Sequence, residues 1–266
     1  MWEMRMDLQS GSITTKRMGR EFRFLAETDS TNRDAGAAGA AGAAEGLLIA
    51  ANTQTAARGR MDRGWFSPAD VNLYFSLLLR PDVAPHNAIS LPLVIGLAVA
   101  EGLSACEPSL QPKIKWPNDI YVAGKKLCGI LCEIHLKGDA TDYLVAGVGI
   151  NVNVTMQQMP ADLHATATSI ITETGKALTR ENLLAAILNR FEPLYDQWRA
   201  FGFKALVQQV NMLDALRGKP IRMELSGKPI EGTASGIQHD GALLLRTPQG
   251  LVPVYSGEAH ILTVGE

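Results

Sequence analysis

The chain of 266 residues is 46% hydrophobic and 20% charged and has a formal net charge of −2. These values fit a globular protein of one large domain, or of one domain with a small appendage, and they exclude a strongly basic nucleic-acid-binding protein. The three cysteines, Cys106, Cys128 and Cys132, include no CxxC pair, so we expect neither a disulfide framework nor a zinc site, as in the reducing cytoplasm.

The first residues, 1–20, are polar and lack the apolar run of a signal peptide, so we predict a disordered or loosely attached leader. A first strand is predicted over residues 21–26. Helix N-cap residues follow at 29–32, and we expect an alanine-rich helix over 33–45, weakened by glycines that each cost about 1 kcal/mol. A flexible linker is the second interpretation of this low-complexity segment.

Two apolar, strand-like runs, residues 46–51 and 71–79, flank a basic loop at residues 54–68. Three arginines and two glycines lie between Arg58 and Gly64. Glycine lets backbone N–H groups approach a ligand closely, and arginine forks match phosphate or carboxylate oxygens. By itself the loop is interpreted as a solvated surface turn, because short Arg/Gly runs are common. A binding role has to be supported by the rest of the chain.

The middle of the chain contains one strongly apolar segment. Because Pro92 and Glu101 interrupt it, we predict a buried helix over residues 88–106 and not a membrane span. Strands are then predicted at 112–116, 120–122, 126–135 and 142–153, the last two forming a hairpin in the centre of a sheet. A loop at 156–163 follows. Further helices are predicted at 168–174, 183–201 and 204–213.

The C-terminal part of the chain consists of short strands separated by tight turns, which is typical of a small β-barrel or sandwich. The predicted strands are 221–225, 230–237, 242–245, 251–255 and 259–264. We therefore divide the chain into a leader (1–20), a main domain (21–216) and a C-terminal domain (217–266).

Polar residues concentrate in three clusters at strand ends or in connecting loops: Ser30-Thr31-Asn32, residues 54–65 and residues 113–129. The clusters contain the cations Arg58, Arg60, Arg63, Lys113, Lys115 and Lys126, the acid Asp119 and the aromatic residue Trp65. No Ser-His-Asp pattern and no metal-ligand spacing accompanies them. Such a set favours an anionic, phosphate-bearing ligand that is activated by positioning and electrostatics.

Each of these residues also has a purely structural interpretation. Ser30 and Thr31 are good helix caps, and a single lysine such as Lys126 is usually solvated. Gly147 and Gly149, inside a predicted strand, indicate either a bulge or a backbone that another group approaches closely. The case for a site therefore depends on the clusters taken together.

Several short motifs occur in a fixed order from about residue 22 onwards. They read Asp29-Ser-Thr-Asn, Gln54-x-x-x-Arg-Gly-Arg-x-x-Arg-x-Trp-Phe-Ser-Pro, Asn72-Leu-Tyr-Phe-Ser, Lys115-Trp-Pro-Asn-Asp, Lys126-Leu-x-Gly-Ile-Leu-x-Glu, Gly147-x-Gly-Ile-Asn and, near the end, Gly257-Glu258. Together they resemble the motifs of biotin–protein ligases (biotin–[acetyl-CoA-carboxylase] ligases). The resemblance implies an α+β fold: a central mixed, largely antiparallel sheet with helices, as in class II synthetases, and a small C-terminal SH3-like β-barrel.

The resemblance also implies an enzyme that makes biotinyl-5′-AMP from biotin and MgATP, releases pyrophosphate and transfers biotin to one lysine of a biotin carboxyl carrier protein. The implied biotin-binding residues are Ser30, Thr31, Gln54, Arg58, Gly59, Arg60, Lys126 and Gly129. The implied nucleotide-binding residues are Arg58, Arg60, Trp65, Asn118, Lys126 and Asn151. Arg58 and Lys126 would stabilise the reacting anions, Asp119 would assist the incoming lysine, and Mg²⁺ would be carried with ATP and not by a protein motif.

The basic loop departs from the family pattern, which commonly reads Gly-Arg-Gly-Arg-Arg-Gly-Arg. Here Ala57 replaces the first glycine and Met61-Asp62 replaces Arg-Gly. Ala57 implies a negative φ at that position, and Asp62 puts a negative charge into a phosphate-facing loop. We hypothesise that these changes loosen retention of the adenylate.

The first motif begins at Asp29, which leaves too little chain for the N-terminal helix-turn-helix domain of some family members. We therefore expect a monofunctional, cytoplasmic enzyme that binds neither DNA nor a membrane. A homodimer through an exposed sheet edge stays open. The alternatives are a lipoate/octanoate–protein ligase of the same catalytic fold and a non-catalytic biotin- or nucleotide-binding regulator.

Overall fold

The structure, a computed structural model, describes residues 13–225 and 228–262. Residues 1–12 of the predicted leader, the predicted turn at 226–227 and the end of the last predicted strand lie outside this part. Within it, the chain forms two sheets and six α-helices in addition to short 3-10 turns.

The larger sheet has seven strands in the order β1-β2-β3-β7-β6-β5-β4. The strands are β1 (Phe22–Thr28), β2 (Leu48–Gln54), β3 (Leu73–Leu79), β4 (Lys113–Lys115), β5 (Asp119–Val122), β6 (Lys125–Lys137) and β7 (Ala140–Ile150). Only β1 and β2 pair in parallel among these described strands, and the other neighbours are antiparallel. The predicted mixed, largely antiparallel sheet is thus confirmed.

Six helices accompany this sheet. They are α1 (Thr31–Ala40), α2 (Pro85–Ala88), α3 (Leu91–Cys106), α4 (Ile170–Thr174), α5 (Arg180–Phe201) and α6 (Val207–Met212). The predicted helix 33–45 is wrong at its end, because the chain leaves the helix at Ala41 and enters a left-handed turn at Gly42 (φ +87°). The predicted helix 88–106 divides before Leu91, since Ser90 precedes a helix start that carries Pro92 in its first turn.

Strand β3 shows how the layers are arranged. All seven of its residues are buried. Leu77 and Leu79 pack in the main core with α3 and α5, whereas Leu78 packs in a second cluster with Ala35 of α1. Because successive strand residues point to opposite faces, α3 and α5 cover one face of the sheet and α1 covers the other.

Helix α3 is the predicted buried helix. Eleven of its sixteen residues are buried, and a Cβ at Gly102 would lie 2.7 Å from Ile187 Cγ1, so α3 and α5 pack closely. By length and composition the segment Pro85–Cys106 could cross a membrane, but 67% of its apolar stretch is buried inside the protein. Its apolar surface is used in the core of the fold.

Residues 13–20 differ from the prediction of a loosely attached leader. The backbone N–H groups of Lys16, Arg17 and Met18 donate to the Glu192 carboxylate of α5 at 2.6, 2.7 and 3.1 Å. The Met18 side chain is fully buried. Burial raises the pKa of Glu192, but these donors and the Arg17 charge more than offset it and hold the pKa below its ordinary value. This segment is therefore packed onto the main domain.

The second sheet is antiparallel and has five strands in the order β11-β10-β9-β8-β12. They are β8 (Pro220–Leu225), β9 (Lys228–Ile237), β10 (Leu243–Thr247), β11 (Gly250–Val254) and β12 (His260–Ile261). The sheet contacts the main domain where Trp116 Nε1 donates to the Gly241 carbonyl at 3.0 Å. The five predicted strands are confirmed, whereas the domain boundary near residue 216 stays a prediction.

Candidate active site

A cavity of about 490 Å³ lies on the α1 face of the large sheet, between the basic loop and the second sheet. All of the predicted catalytic, biotin-binding and nucleotide-binding residues line it, and it brings together residues from all three clusters, which the sequence separates by up to about a hundred positions. These lining residues are Ser30, Thr31, Gln54, Arg58, Gly59, Arg60, Trp65, Asn118, Asp119, Lys126, Gly129 and Asn151. Of the other predicted cations, Arg63 and Lys115 also line the cavity, and the exposed Lys113 lies outside it.

One wall is built where the end of β2 meets the start of α1. Ser30 occupies the N-cap position with extended backbone, but its side chain makes no capping hydrogen bond in the described structure. Gln54, the last residue of β2, accepts the Thr31 backbone N–H on Oε1 at 2.9 Å. Ser30 and Thr31 are only 5% and 4% exposed, and both line the cavity. The capping interpretation of Ser30 is therefore not supported by a contact.

The basic loop folds back on itself as a short hairpin over the cavity, and we call residues 57–65 the lid. Arg58 and Gly64 form a β-bridge, the Gly59 N–H donates to the Arg63 carbonyl at 2.7 Å, and the Trp65 N–H donates to Ala57 at 3.0 Å. The tip is a 3-10 turn, Arg60–Asp62. At this tip Met61 and Asp62 have φ of +56° and +55°, a region that glycine occupies at lower cost.

The floor carries an ion pair. Lys126 Nζ lies 2.7 Å from Asp119 Oδ1, across the antiparallel strands β5 and β6. The ammonium also lies over the Trp65 ring, 5.4 Å from its centroid, as in a cation–π contact. The backbone of Lys126 pairs with residues 166–168, which brings Thr166 and Ala167 to the rim of the cavity.

Two glycines allow the Trp65 indole to lie against the sheet. A Cβ at Gly149 would stand 2.7 Å from Trp65 Nε1, and one at Gly129 would stand 2.9 Å from Trp65 Cζ3. Of the two predicted interpretations for Gly147 and Gly149, the close approach of another group is therefore the correct one: Trp65 approaches Gly149, and the Asn32 side chain approaches Gly147. Trp65 Nε1 is buried and has no hydrogen-bond partner in residues 13–225 and 228–262. A ligand atom that accepts a hydrogen bond from this N–H would pair a buried donor, which is energetically costly to leave without a partner.

The second sheet reaches the lid through residues that sequence reasoning did not include in the site. Arg63 donates to both carboxylate oxygens of Glu258 at 2.8 Å. Arg60 Nη1 lies 3.2 Å from the Gly257 carbonyl and 3.3 Å from Asn118 Oδ1. The Arg63 hydrogen bond and charge hold the pKa of Glu258 below its ordinary value. The motif Gly257-Glu258 was visible in the sequence, but its contact with the lid was not.

Lys115 is a half-buried cation at the edge of the cavity. Its Nζ donates to Tyr121 Oη at 3.2 Å and lies 4.9 Å from the centre of that ring. Burial lowers the pKa of Lys115, although the carboxylates of Asp119 and Glu258 oppose this shift. The Lys115 ammonium is thus bound to another protein side chain, whereas the Lys113 side chain is exposed.

Asn151 and the segment after β7 close the remaining side. Asn151 Nδ2 donates to the Thr168 carbonyl at 2.9 Å, and its Oδ1 accepts from Asn72 Nδ2 at 3.4 Å. The segment predicted only as a loop, 156–163, adds Met159 and Leu163 to the lining. These side chains belong to a small apolar cluster with Phe66. The apolar residues Met159 and Leu163 within a predicted loop are the sequence feature that could have indicated this wall.

The comparisons with known proteins agree with this geometry. Residues 25–151 match the biotin/lipoate A/B protein ligase family, and residues 217–261 match the biotin protein ligase C-terminal domain. A biotin–[acetyl-CoA-carboxylase] ligase of Mycobacterium tuberculosis is 33% identical over 90% of this chain and 88% of its own length. The enzyme of that name from Paracoccus denitrificans is 34% identical over 85% of this chain and 95% of its own.

Among solved structures, the biotin protein ligase of Aquifex aeolicus in complex with biotin and ATP is similar with a TM-score of 0.79 and 30% identity, covering 92% of this chain and all of that one. The fold and the cavity thus define a ligase that attaches a cofactor to protein. More narrowly, the chain belongs to the biotin protein ligase family. The predicted family, fold class and enzyme type are confirmed.

Proposed function

We propose that the chain joins biotin to the AMP portion of ATP in this cavity and then passes the biotinyl group to a lysine of a carrier domain. The observation that carries the proposal is the position of Lys126. Its ammonium lies on the cavity floor, 5.4 Å from the centre of the Trp65 ring, in the same cavity as the arginines of the lid. A carboxylate and a triphosphate that enter together bring two anions into contact, and the cavity offers cations on both sides of them.

In the first half-reaction a biotin carboxylate oxygen bonds to the α-phosphorus of ATP, and the bond from that phosphorus to the bridging oxygen breaks. Pyrophosphate leaves with the electron pair. Lys126 and Arg58 offset the repulsion between the reacting anions. The loss of one such preorganised charge costs about 3–4 kcal/mol, by analogy with an oxyanion-hole donor. The lid keeps water from the hydrolysis-prone acyl-adenylate.

Biotin would lie along the α1 wall, with its ureido ring at Ser30, Thr31 and Gln54 and its backbone contact at Gly129. This wall is polar, whereas the acyl chain of lipoate presents no N–H or carbonyl group to such side chains. The polar wall therefore favours biotin over the lipoate or octanoate alternative. Catalytic cations that line the cavity likewise favour an enzyme over a non-catalytic regulator.

The nucleotide would lie between the lid and the segment after β7. Arg60, held by Asn118 and Gly257, would contact the phosphates. Trp65, whose indole N–H has no partner among the described residues, would flank the adenylate. Asn151 lies near the adenine, where its second amide hydrogen is the group left for a ligand. The related Aquifex enzyme is described with biotin and ATP bound.

Mg²⁺ would enter with ATP. The described residues contain no group of three His, Cys, Asp or Glu side chains able to hold a metal ion. An Mg²⁺ ion that is carried with ATP would be held mainly by phosphate oxygens and water. When bound, the ion would neutralise phosphate charge. The roles proposed for the protein residues do not depend on where the Mg²⁺ ion lies.

In the second half-reaction the carrier-lysine nitrogen bonds to the acyl carbon, the bond from that carbon to the AMP oxygen breaks, and AMP leaves. The amine must lose a proton, and Asp119 is the carboxylate placed to take it. The carrier would be a domain of a biotin-dependent carboxylase, as the names of two relatives indicate for acetyl-CoA carboxylase. The edge strand β1 is the candidate surface for the carrier or for a homodimer, in the cytoplasm, because the other edge strand, β4, is already paired through Ile114 with residues 213–215.

The test is a carrier-lysine biotinylation assay. The full chain is incubated with ATP, Mg²⁺, an acetyl-CoA carboxylase carrier domain and either labelled biotin or labelled lipoate. We expect transfer of biotin with release of pyrophosphate and AMP, and no transfer of lipoate. Transfer of lipoate at a comparable rate would contradict the substrate assignment, and binding of biotin without pyrophosphate release would contradict the catalytic one.

A further inference from the structure

Four residues that belong to the sequence motifs but have no role in the chemistry above meet at one point on the α1 face of the sheet. They are Asn32, Ser76, Glu133 and Gly147. Asn32 stands at the centre, and a Cβ at Gly147 would be only 2.0 Å from its Oδ1. Because Gly147 has no side chain, the Asn32 amide fits against its backbone. Ser76 and Glu133 form hydrogen bonds with that amide.

The surroundings fix the orientation of the Asn32 amide. Its Nδ2 lies 2.6 Å from Glu133 Oε2 and 3.3 Å from the Leu131 carbonyl oxygen. Both partners are acceptors, so the two N–H groups have to face them. The amide oxygen Oδ1 then faces Ser76 Oγ at 2.6 Å. Since an amide oxygen only accepts, Ser76 is the donor.

The direction of the next hydrogen bond follows from counting protons. A hydroxyl has one proton to donate, and that of Ser76 goes to Asn32. Ser76 Oγ also lies 2.8 Å from Thr31 Oγ1, so in this contact Thr31 must donate and Ser76 must accept. Thr31 thereby uses its only proton inside the protein. Toward the cavity its hydroxyl offers lone pairs alone.

Gln54 is oriented in the complementary sense. Its Oε1 accepts the Thr31 backbone N–H at 2.9 Å, so the amide nitrogen points the other way, 3.4 Å from Ser67 Oγ. The 3.2 Å contact between Thr31 Oγ1 and Gln54 Oε1 then joins two oxygens without a proton between them. The wall thus presents an acceptor at Thr31 and an N–H donor at Gln54.

We propose that Glu133, Asn32 and Ser76 are positioning residues that fix Thr31 as a hydrogen-bond acceptor and so select a ligand ring with N–H and carbonyl groups side by side. The inference rests on the proposed function, which places biotin at this wall. Ser76, Thr31 and Asn32 are 0%, 4% and 8% exposed, so water does not readily supply a replacement proton donor or acceptor.

The experiment compares steady-state KM values for biotin and for ATP in the biotinylation assay with the full chain. Ser76→Ala interrupts the series of hydrogen bonds, and Glu133→Leu removes its terminal acceptor. For each we expect about a ten-fold rise in the KM for biotin, the size of one lost hydrogen bond, and less than about two-fold change in the KM for ATP. Glu133→Gln keeps an acceptor oxygen and should stay within about three-fold of the wild type.

Ser235→Ala, which changes a half-buried serine of the second sheet far from the cavity, is the matched control and should change neither constant. In a Thr31→Val background, Ser76→Ala should raise the KM for biotin by less than about a further two-fold, because the effect of Ser76 depends on the Thr31 hydroxyl. Additive effects, or equal rises in both KM values, would overturn the inference. Should Ser76→Ala not fold, the two Glu133 variants decide alone. Failure of the wild type to transfer biotin would instead overturn the proposed function.

Discussion

Lys126 Nζ and Asp119 Oδ1 form a 2.7 Å ion pair on the floor of the cavity, with the lysine side chain 31% and the aspartate side chain 16% exposed. In the proposed reaction the two members act in different half-reactions. Lys126 stabilises the anions during adenylation, and Asp119 accepts a proton during transfer. Variants of the two residues should therefore separate the two steps.

For Asp119→Asn we expect transfer from preformed biotinyl-5′-AMP to slow by about 10²–10⁴-fold, the usual contribution of a positioned general base. Pyrophosphate release should stay within about ten-fold of the wild type, since Lys126 is retained. Single-turnover transfer and pyrophosphate release measure the two steps separately. If both rates fell equally, Asp119 would act by holding Lys126 and not as a base.

For Lys126→Ala we expect pyrophosphate release to fall by about 10²–10³-fold, because a preorganised charge at the reacting oxygens is lost. The affinity for biotin, measured by calorimetry without ATP, should fall by a smaller factor than the rate of adenylation. Lys113→Ala is the matched control, since Lys113 is exposed and outside the cavity. Wild-type pyrophosphate release by Lys126→Ala would remove this lysine from the mechanism.

Asp62 combines a positive φ with a carboxylate 3.4 Å from Arg58 Nη1. The aspartate side chain is 87% exposed, so the pair is weak, but its negative charge offsets part of the Arg58 charge at the cavity. Asp62→Gly should slow dissociation of biotinyl-5′-AMP by about two- to five-fold, the effect of at most about 1 kcal/mol. A chase with unlabelled ligand measures the rate.

Asp62→Asn separates charge from backbone, because asparagine tolerates the left-handed region but has no charge. Equal slowing by Asn and Gly assigns the effect to charge, and slowing by Gly alone assigns it to the backbone. Unchanged dissociation in both variants would discard the idea that Asp62 loosens the lid.

Glu258 and Arg63 join the second sheet to the lid, and Glu258→Gln should weaken this contact. We expect biotinyl-5′-AMP to dissociate about two- to five-fold faster, in keeping with a partly exposed bidentate pair. Because Arg63 holds the pKa of Glu258 low, the contribution is present above the ordinary carboxyl pKa and is lost as the pH falls through the lowered value. The difference from wild type should thus be constant near neutral pH and disappear in acid. A difference that grew in acid would contradict this assignment.

Glu192 anchors residues 16–18, so Glu192→Ala should lower the free energy of unfolding by about 2–4 kcal/mol, the cost of leaving backbone donors without their charged acceptor. The folded-state pKa of Glu192 lies below its ordinary value, so its stabilisation is complete above about pH 4.3 and is lost as the pH falls through the lowered pKa. Urea denaturation at neutral and acidic pH measures both effects.

Arg190→Gln is the control on the same helix, since its ion pair with Glu101 is 4.0 Å long and partly exposed. It should change the unfolding free energy by less than about 0.5 kcal/mol. Equal effects of the two substitutions would show that Glu192 contributes no more than a surface charge.

The sequence by itself determined the strands, most of the helices and the polar residues of the motifs that line the cavity, but not its walls at Met159, Leu163 and Glu258. Alternating and apolar runs identify strands locally, and residue type is enough to mark Arg58, Lys126 and Asp119 as partners for an anionic ligand. The order of the motifs then assigned the family. These features depend on short stretches of chain, whose physical preferences can be read without knowing their neighbours.

Only the tertiary structure decided which groups touch. The pair Arg63–Glu258 joins residues 195 positions apart, and the attachment of Met18 to Glu192 spans 174. The hydrogen bonds around Asn32 depend on the register of β6 and β7, since a shift of one residue would turn Glu133 and Gly147 to the other face. Such contacts are set by the packing of distant segments, which a local pattern in the sequence does not contain.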